Sequence, residues 1–169
     1  MRSLLFIGAI AIAGTVIGNS LAGKITEPAP AAKPAQVASM QSSPAAPRVV
    51  ALRADARGHF ATDILVQNQF VKALVDTGAS VVAFSHEDAK KAGIVPASSA
   101  YTVRMQTANG IVMAALVRIP ELRLQGITVR DVEATVMPPG ALPITLLGMS
   151  FLRRLSSFEM NGNTLLLKQ

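Results

Sequence analysis

The sequence predicts an all-β domain, a small barrel or sandwich, for residues 48–169. Short runs rich in β-branched residues recur there, and turn-forming residues separate them. Only two segments have the pattern of helices, and both are short. The length of this part, about 122 residues, is enough for one domain to bury about two thirds of its unfolded surface.

The strands follow from runs of aliphatic and β-branched residues that end at turn signals such as Asp55-Ala56-Arg57-Gly58 and Gln67-Asn68-Gln69. The predicted strands are residues 48–54, 59–66, 70–75, 81–84, 101–107, 111–119 and 127–136. Near the C-terminus, Asn161-Gly162 is the preferred dipeptide for a two-residue hairpin turn. This turn predicts a closing hairpin whose second strand covers residues 164–168.

Two short helices interrupt the strands. Ser85 stands three residues before Asp88, and Gly93 ends the segment, which predicts a capped helix over residues 86–92. A second helix is expected to begin after Gly148 and to cover residues 149–155.

The charge distribution does not favour a nucleic-acid partner. The net charge is +6, yet the basic residues are scattered, and residues 48–169 carry 13 basic against 9 acidic side chains. The densest pairs, Lys90-Lys91 and Arg153-Arg154, have no interleaved aromatic residues. A slightly basic, solvated surface is the prediction.

The chain contains no cysteine and only two histidines. Disulfides, thiolate zinc sites and cysteine nucleophiles are therefore excluded, and so is a site of several histidines. No metal and no cofactor are expected. His59 and His86 are interpreted as structural or surface residues.

The N-terminus, residues 1–25, has the pattern of a targeting segment. A basic start at Arg2 is followed by an uncharged apolar run from residue 3 to residue 23. Small residues around Ser20-Leu21-Ala22 suit a cleavable signal peptide, and the run is also long enough for an uncleaved membrane anchor. Either interpretation predicts that the rest of the chain lies across the membrane, in the exported space or attached to the cell membrane.

Residues 26–47 form a predicted linker. Proline, alanine, serine and glutamine dominate this segment, and large aliphatic side chains are scarce. Such a composition offers too little apolar surface for a packed core and favours extended chain.

Three short segments carry the chemical information. Asp76-Thr77-Gly78-Ala79 directly follows an apolar predicted strand and places a carboxylate, a hydroxyl and a glycine at the strand's end. Leu146-Leu147-Gly148 follows a proline-rich loop, and Thr107-Ala108-Asn109-Gly110 forms a predicted hairpin tip. Taken by itself, Asp-Thr-Gly also suits a simple connection from a strand to a turn.

In this order and spacing, the three segments resemble those of the retropepsin-like aspartic proteases, particularly bacterial single-domain members associated with membranes. The resemblance covers nearly all of residues 48–169, including Arg57-Gly58-His59-Phe60 and the run from Leu146 to Leu152. It implies a small closed acid-protease-type barrel that forms a homodimer with the active site at the interface.

The resemblance also implies a role for each residue. Asp76 would face its copy in a second protomer, and the two carboxylates would share one proton and activate a water molecule. Thr77 would brace the two motif loops, while Gly78 and Ala79 would complete the turn. The resemblance also assigns roles to two groups of residues. The segment that packs behind the motif loop would be Leu146, Leu147 and Gly148. The flap over an extended peptide would be formed by Thr107, Ala108, Asn109 and Gly110.

One departure concerns an ion pair beside the catalytic aspartates of many viral members. This chain has Ser80 and Met149 at the two positions, so both charges are missing together. No unpaired charge is left behind.

The expected function is therefore that of an aspartic endopeptidase acting on protein or peptide substrates. The leading alternative is a non-catalytic module that binds extended peptides on the same fold. A third interpretation is an envelope structural domain in which Asp-Thr-Gly is only a turn. The intact acid at Asp76 argues against both alternatives.

Overall fold

The computed structural model describes residues 46–107 and 110–169, and most of this part of the chain is in β-strands. Its strands are β1 (Val49–Arg53), β2 (Ala61–Val66), β3 (Gln69–Val75), β4 (Val82–Phe84), β5 (Val103–Thr107), β6 (Gly110–Leu124), β7 (Ile127–Val136), β8 (Thr145–Leu147), β9 (Ser157–Asn161) and β10 (Thr164–Lys168). Two short helices, α1 (His86–Lys91) and α2 (Met149–Leu152), and a single 3-10 turn (Ser98–Ala100) connect them. The prediction of an all-β domain with few short helices is confirmed.

Six strands form a closed barrel in the order β2-β3-β8-β4-β7-β6. The barrel closes where β6 pairs again with β2, Leu122 opposite Val66. Two of the pairings, β3 with β8 and β4 with β7, are parallel. Because parallel strands end at the same edge of a sheet, the segments that follow Val75 and Leu147 emerge side by side.

Strand β6 is longer than its sequence pattern indicates. The prediction ended at Ile119, before a proline that cannot donate to a strand ladder. In the structure, Ile119 pairs with Val132 and Glu121 pairs with Arg130, so the register continues past Pro120. The strand tolerates this proline because Pro120 is exposed and the residue opposite, Asp131, leaves the extended conformation with φ +52°.

The N-terminal part of β6 forms a hairpin with β5 that extends beyond the barrel. Met105 pairs with Val112 and Thr107 pairs with Gly110. Ala108 and Asn109, which stand between these two residues in the sequence, lie outside the described residues. We call this hairpin the flap.

A separate three-stranded sheet has the order β1-β10-β9. Thr164 pairs with Asn161, so the two loop residues are Gly162-Asn163 and not the Asn161-Gly162 pair predicted from sequence. Gly162 has φ +56°, which suits the first loop position of a type II′ turn. The prediction was therefore wrong by one residue, because glycine occupies the first loop position and not the second.

Both helices lie where the sequence places them, although each is shorter. Helix α1 has the predicted cap, since the Ser85 side chain accepts a hydrogen bond of 3.1 Å from the backbone N–H of Asp88. Helix α2 ends at Leu152 and not at residue 155. Beyond Leu152 the chain continues in tighter turns, because the N–H of Leu155 donates to the C=O of Leu152, three residues back.

The main core fills the barrel and continues beneath the three-stranded sheet. Its largest fully buried side chains include Phe84, Phe151, Ile64 and Leu147. A second, smaller apolar cluster lies apart from this core. Ala83, Ala114 and Met137 are buried there, and Met105, Leu142 and Leu146 pack against them while remaining partly exposed.

Within the described ranges, the helices are too short to cross a membrane. The predicted targeting segment, residues 1–25, and nearly all of the predicted linker, residues 26–47, lie outside the part of the chain that the structure describes.

Candidate active site

Asp76 is the first residue after β3 and is held at the end of the parallel β3–β8 pair. Its backbone N–H donates to the C=O of Leu147 at 3.2 Å, which continues the ladder by one bond. Its side chain is fixed locally, because Oδ1 accepts a hydrogen bond of 2.8 Å from the N–H of Gly78. Asp76 is half-buried, so the carboxylate is oriented by the chain and still accessible from outside.

The loop after Asp76 is held against the start of α2. The N–H of Ala79 donates to the C=O of Asp76 at 3.3 Å, and the C=O of Ala79 accepts from the N–H of Met149 at 2.8 Å. At Gly148 a Cβ atom would meet the carbonyl oxygen of Val81 and would lie 2.7 Å from that of Ala79. Glycine is therefore required at position 148 for the loop to approach this closely.

Gly78 and Thr77 occupy the exposed side of the loop. A Cβ atom at Gly78 would lie 3.1 Å from Asp76 Oδ1, tighter than ordinary van der Waals contact. A side chain at this position would therefore crowd the carboxylate that the Gly78 N–H holds. Thr77 presents its side chain at the surface, next to Asp76.

Asp76 lies in a cleft of about 430 Å³. Its wall is formed by three parts of the chain that are distant in sequence: the loop after β3, the flap, and the segment before β8. Met105, Gln106 and Thr107 line it from the flap, and Ala141, Leu142 and Pro143 line it from the segment before β8. Asp76 is the one ionisable residue among the described residues that line this cleft. The cleft thus combines a single carboxylate with mainly apolar walls.

A side-chain hydrogen bond joins the two strands of the flap near its tip. Thr107 Oγ1 donates to the C=O of Gly110 at 2.8 Å, across the hairpin. Gly110 has φ +111°, a conformation that favours glycine. Of the four flap residues proposed from sequence, Thr107 and Gly110 lie at the tip, and Ala108 and Asn109 lie outside the described residues.

The Leu146-Leu147-Gly148 segment divides its side chains between two environments. Leu147 is completely buried in the main core behind Asp76. Leu146 lines the cleft and packs against the second apolar cluster. Ser80 also lines the cleft, whereas Met149 packs against the main core, so neither position leaves an unpaired charge.

Two polar contacts near the site have no assignment from the sequence. Ser150 Oγ accepts from the N–H of Val82 at 2.9 Å and donates to the C=O of Glu133 at 2.7 Å. The fully buried Thr145 hydroxyl donates to Asp88 Oδ2 at 2.8 Å and thereby joins β8 to α1. The sequence carried no signal for either contact, because both join residues more than 15 positions apart.

Neither histidine lines the cleft. His59 is exposed and lies 3.7 Å from Asp55. His86 begins α1, is partly buried and lines a different pocket, together with Val112 and Met113. Across residues 46–107 and 110–169, we find no group of three His, Asp or Glu side chains placed to hold a metal ion.

Comparison with known proteins agrees with this arrangement. A family model described as "gag-polyprotein putative aspartyl protease" matches residues 62–154, more than half of the chain. The match contains Asp76, the flap and Gly148. The chain belongs to the retropepsin-like aspartic protease family.

A solved retropepsin-like aspartic protease from Rickettsia conorii has a TM-score of 0.65 and 33% sequence identity to this chain. The alignment covers 72% of this chain and 91% of that one. Both the closed barrel and the family resemblance expected from the sequence are therefore confirmed.

Two curated relatives are also similar in sequence. An uncharacterized protein encoded 5′ of cobV in a Sinorhizobium species is 42% identical over 119 residues, 70% of this chain and 51% of the relative. An uncharacterized protein from Rickettsia prowazekii (strain Madrid E) is 37% identical over 110 residues, 65% of this chain and 47% of the relative. This chain thus spans about half the length of the curated relatives it matches.

Proposed function

We propose that this chain is an aspartic endopeptidase whose active form contains two copies. The observation that supports this most strongly is the position of Asp76. Among the described residues, it is the one ionisable side chain that lines a cleft between the flap and the Asp-Thr-Gly loop. The N–H of Gly78 orients this carboxylate, and the walls of the cleft are mainly apolar.

The second copy is required by the chemistry. Activation of water between two carboxylates needs one group that accepts a proton from water and another that donates to the peptide carbonyl. The described part of one chain supplies a single carboxylate to the cleft. In a twofold dimer, Asp76 of each copy would supply one of the two groups, and the pair would share a proton because both cannot ionise at close range.

The substrate in this proposal is a peptide in extended conformation. The flap can close over such a chain and hydrogen-bond to its backbone as a neighbouring strand does. Closure would also exclude water from the reacting bond. The apolar walls at Met105, Leu142 and Leu146 would then contact the substrate's side chains.

Within the described residues, the outer edge of β9 pairs with no further strand and offers a surface for the second copy. Strand β9 is at the edge of the three-stranded sheet. Across the three strands of this sheet, Leu165 lies opposite Leu52 on one side and opposite Met160 on the other. Leu52 and Leu165 are 5% and 4% exposed, whereas Met160 is 70% exposed. Antiparallel pairing of β9 with its copy would continue the sheet and cover Met160, which an unpaired edge strand leaves in water.

The test uses the purified full chain and a peptide library at mildly acidic and neutral pH. We expect cleavage by the wild type and a loss of at least about a thousandfold in Asp76→Asn, because an amide cannot act as the base. The matched control is Asp131→Asn, the same change at an exposed site outside the cleft where φ is +52°. Asparagine tolerates that conformation, so the control should retain activity.

Two results would count against the proposal. Cleavage that persists in Asp76→Asn would mean that Asp76 is not the catalytic acid or base. Peptide binding without cleavage by the wild type would instead identify a non-catalytic peptide-binding module on this fold.

A further inference from the structure

The Ser150 hydroxyl lies between two strands of the barrel. It accepts a hydrogen bond of 2.9 Å from the N–H of Val82, the first residue of β4. It donates a hydrogen bond of 2.7 Å to the C=O of Glu133, in β7. One side chain from α2 thus joins the backbones of both strands.

The strand register identifies the position in the β4–β7 ladder at which this hydroxyl bonds. Strands β4 and β7 are parallel, with Val82 opposite Ala134 and Phe84 opposite Val136. The N–H of Met137 donates to the C=O of Phe84 at 3.0 Å, which fixes the phase of the ladder. In that phase the N–H of Val82 would donate directly to the C=O of Glu133. The hydroxyl bonds to both of these groups and so ties β7 to the start of β4, where Val82 keeps its register opposite Ala134.

The Ser150 bridge lies where the chain leaves the Asp76 loop. The preceding residues of the same turn already contact that loop, since Met149 N–H binds the C=O of Ala79 and Gly148 packs against Val81. The start of α2 therefore holds residues 79, 81 and 82 in succession. Of these three contacts, only the one from Ser150 is made by a side chain.

We propose that Ser150 is a positioning residue for Asp76: its hydroxyl ties the far end of the Asp76 loop to β7 and thereby helps to fix the orientation of the carboxylate. This inference rests on the proposed function. It adds a residue that does not line the cleft and does not touch substrate.

Removal of the hydroxyl would take away the side chain that ties Val82 to both α2 and β7. The contacts of Gly148 and Met149 would still hold residues 79 and 81 against α2. The N–H of Val82 would lose its Ser150 acceptor and the C=O of Glu133 its Ser150 donor, which would loosen the end of the loop. Displacements of about 1 Å in a catalytic group can lower turnover by about a hundredfold, so a loosened loop should reduce kcat more than substrate binding.

The experiment compares three variants of the full chain. Ser150→Ala removes the hydroxyl, and Ser150→Thr keeps it. Gln169→Leu is the matched control, because the Gln169 side chain also bridges a backbone N–H and C=O, both of Thr128, at 3.1 and 2.6 Å. Thr128 and Gln169 do not line the cleft. The measurements are kcat, KM, Tm and the amide exchange rate of Val82.

We expect Ser150→Ala to lower kcat about tenfold or more with KM changed less than about threefold, and Ser150→Thr to restore most of kcat. Gln169→Leu should lower Tm and leave kcat unchanged. The Val82 amide should exchange about tenfold faster in Ser150→Ala alone, whether or not the protein cleaves peptides.

An active wild type with unchanged kcat in Ser150→Ala would overturn the inference and leave the proposed function intact. A loss of kcat in Gln169→Leu equal to that in Ser150→Ala would also overturn it, because general destabilisation would then explain both. If the wild type cleaves nothing, the proposed function fails, and an unchanged exchange rate at Val82 would separately disprove the bridge.

Discussion

At the scale of single residues, the site depends on close backbone approaches that only glycine permits. The segment after β8 touches the loop after β3 at Gly148, where the neighbouring atoms are backbone carbonyls of Val81 and Ala79. Backbone atoms cannot move aside as flexible side chains do. The loop that carries Asp76 is therefore sensitive to changes at a residue that is itself buried.

We expect Gly148→Ala to abolish most of the peptidase activity and to reduce stability by about 1–3 kcal/mol, since the added methyl group forces the loop to shift. Thermal unfolding and peptide cleavage would measure the two effects. Gly126→Ala is the matched control, because a Cβ atom there meets nothing within 4 Å. A Gly148→Ala variant with both wild-type stability and wild-type activity would show that the loop does not need this approach.

At the scale of elements, the turn between β1 and β2 is organised by one carboxylate. Asp55 Oδ1 accepts hydrogen bonds of 2.8 Å from the backbone N–H groups of both Arg57 and His59. The His59 N–H is the main reason that the pKa of Asp55 lies below its ordinary value of 3.8. The charged form is the one that these donors bind.

The sign of the pH effect follows from this lowered pKa. The stabilising contribution of Asp55 is fully present above about pH 3.8 and is lost as the pH falls through the lower value of the folded state. We expect Asp55→Ala to lower Tm slightly at pH 7, with the difference from wild type shrinking below about pH 3.8. Thermal unfolding from pH 7 to pH 3 measures this difference in Tm. The control is Asp63→Ala, because Asp63 is an exposed carboxylate that pairs with Lys72. A difference that stays constant across this range would contradict the assignment.

The elements also show what sequence patterns can predict. Runs of β-branched residues predicted most of the strands within a few residues but missed β8, and Ser85 with Asp88 predicted the cap of α1. The same local reasoning ended β6 too early, because Pro120 suits a strand end unless the strands beside it keep their register. Strand pairing is decided by partners far along the chain, and local patterns do not contain them.

The candidate site also combines features that local patterns predict with features that depend on contacts between distant residues. Asp-Thr-Gly, the double leucine and the hairpin tip are local signals, so the sequence could name Asp76, Gly148 and Thr107. The cleft walls from Ala141 to Pro143 and the Ser150 bridge are created by the fold. Only the three-dimensional pairing of β4 with β7 gives the Ser150 hydroxyl its position between Val82 and Glu133.

At the scale of the whole molecule, the proposed dimer surface can be tested at Met160. A charge on the β9 edge would be buried against the second copy, so we expect Met160→Asp to raise the protein concentration needed for half-maximal specific activity by about tenfold or more. Phe70→Asp is the control, since Phe70 is 65% exposed on a barrel strand. Activity titrations and sedimentation give the dimer affinity. Equal effects of the two variants would place the interface elsewhere.

The location of the folded part is a second property of the whole chain. We propose that it lies across the membrane, because the apolar run at residues 3–23 follows a short basic start. A reporter fused after Gln169 should be active only in the exported space. A reporter active in the cytoplasm would contradict this proposal.

The central claim is that one active site contains Asp76 from two copies. Coexpression of wild type with Asp76→Asn in equal amounts tests it most directly, because random pairing leaves about one quarter of the dimers with two intact carboxylates. We predict that the specific activity of the mixture is about one quarter that of the wild type. An activity of about one half, proportional to the wild-type share, would mean that each copy works alone and would contradict the account.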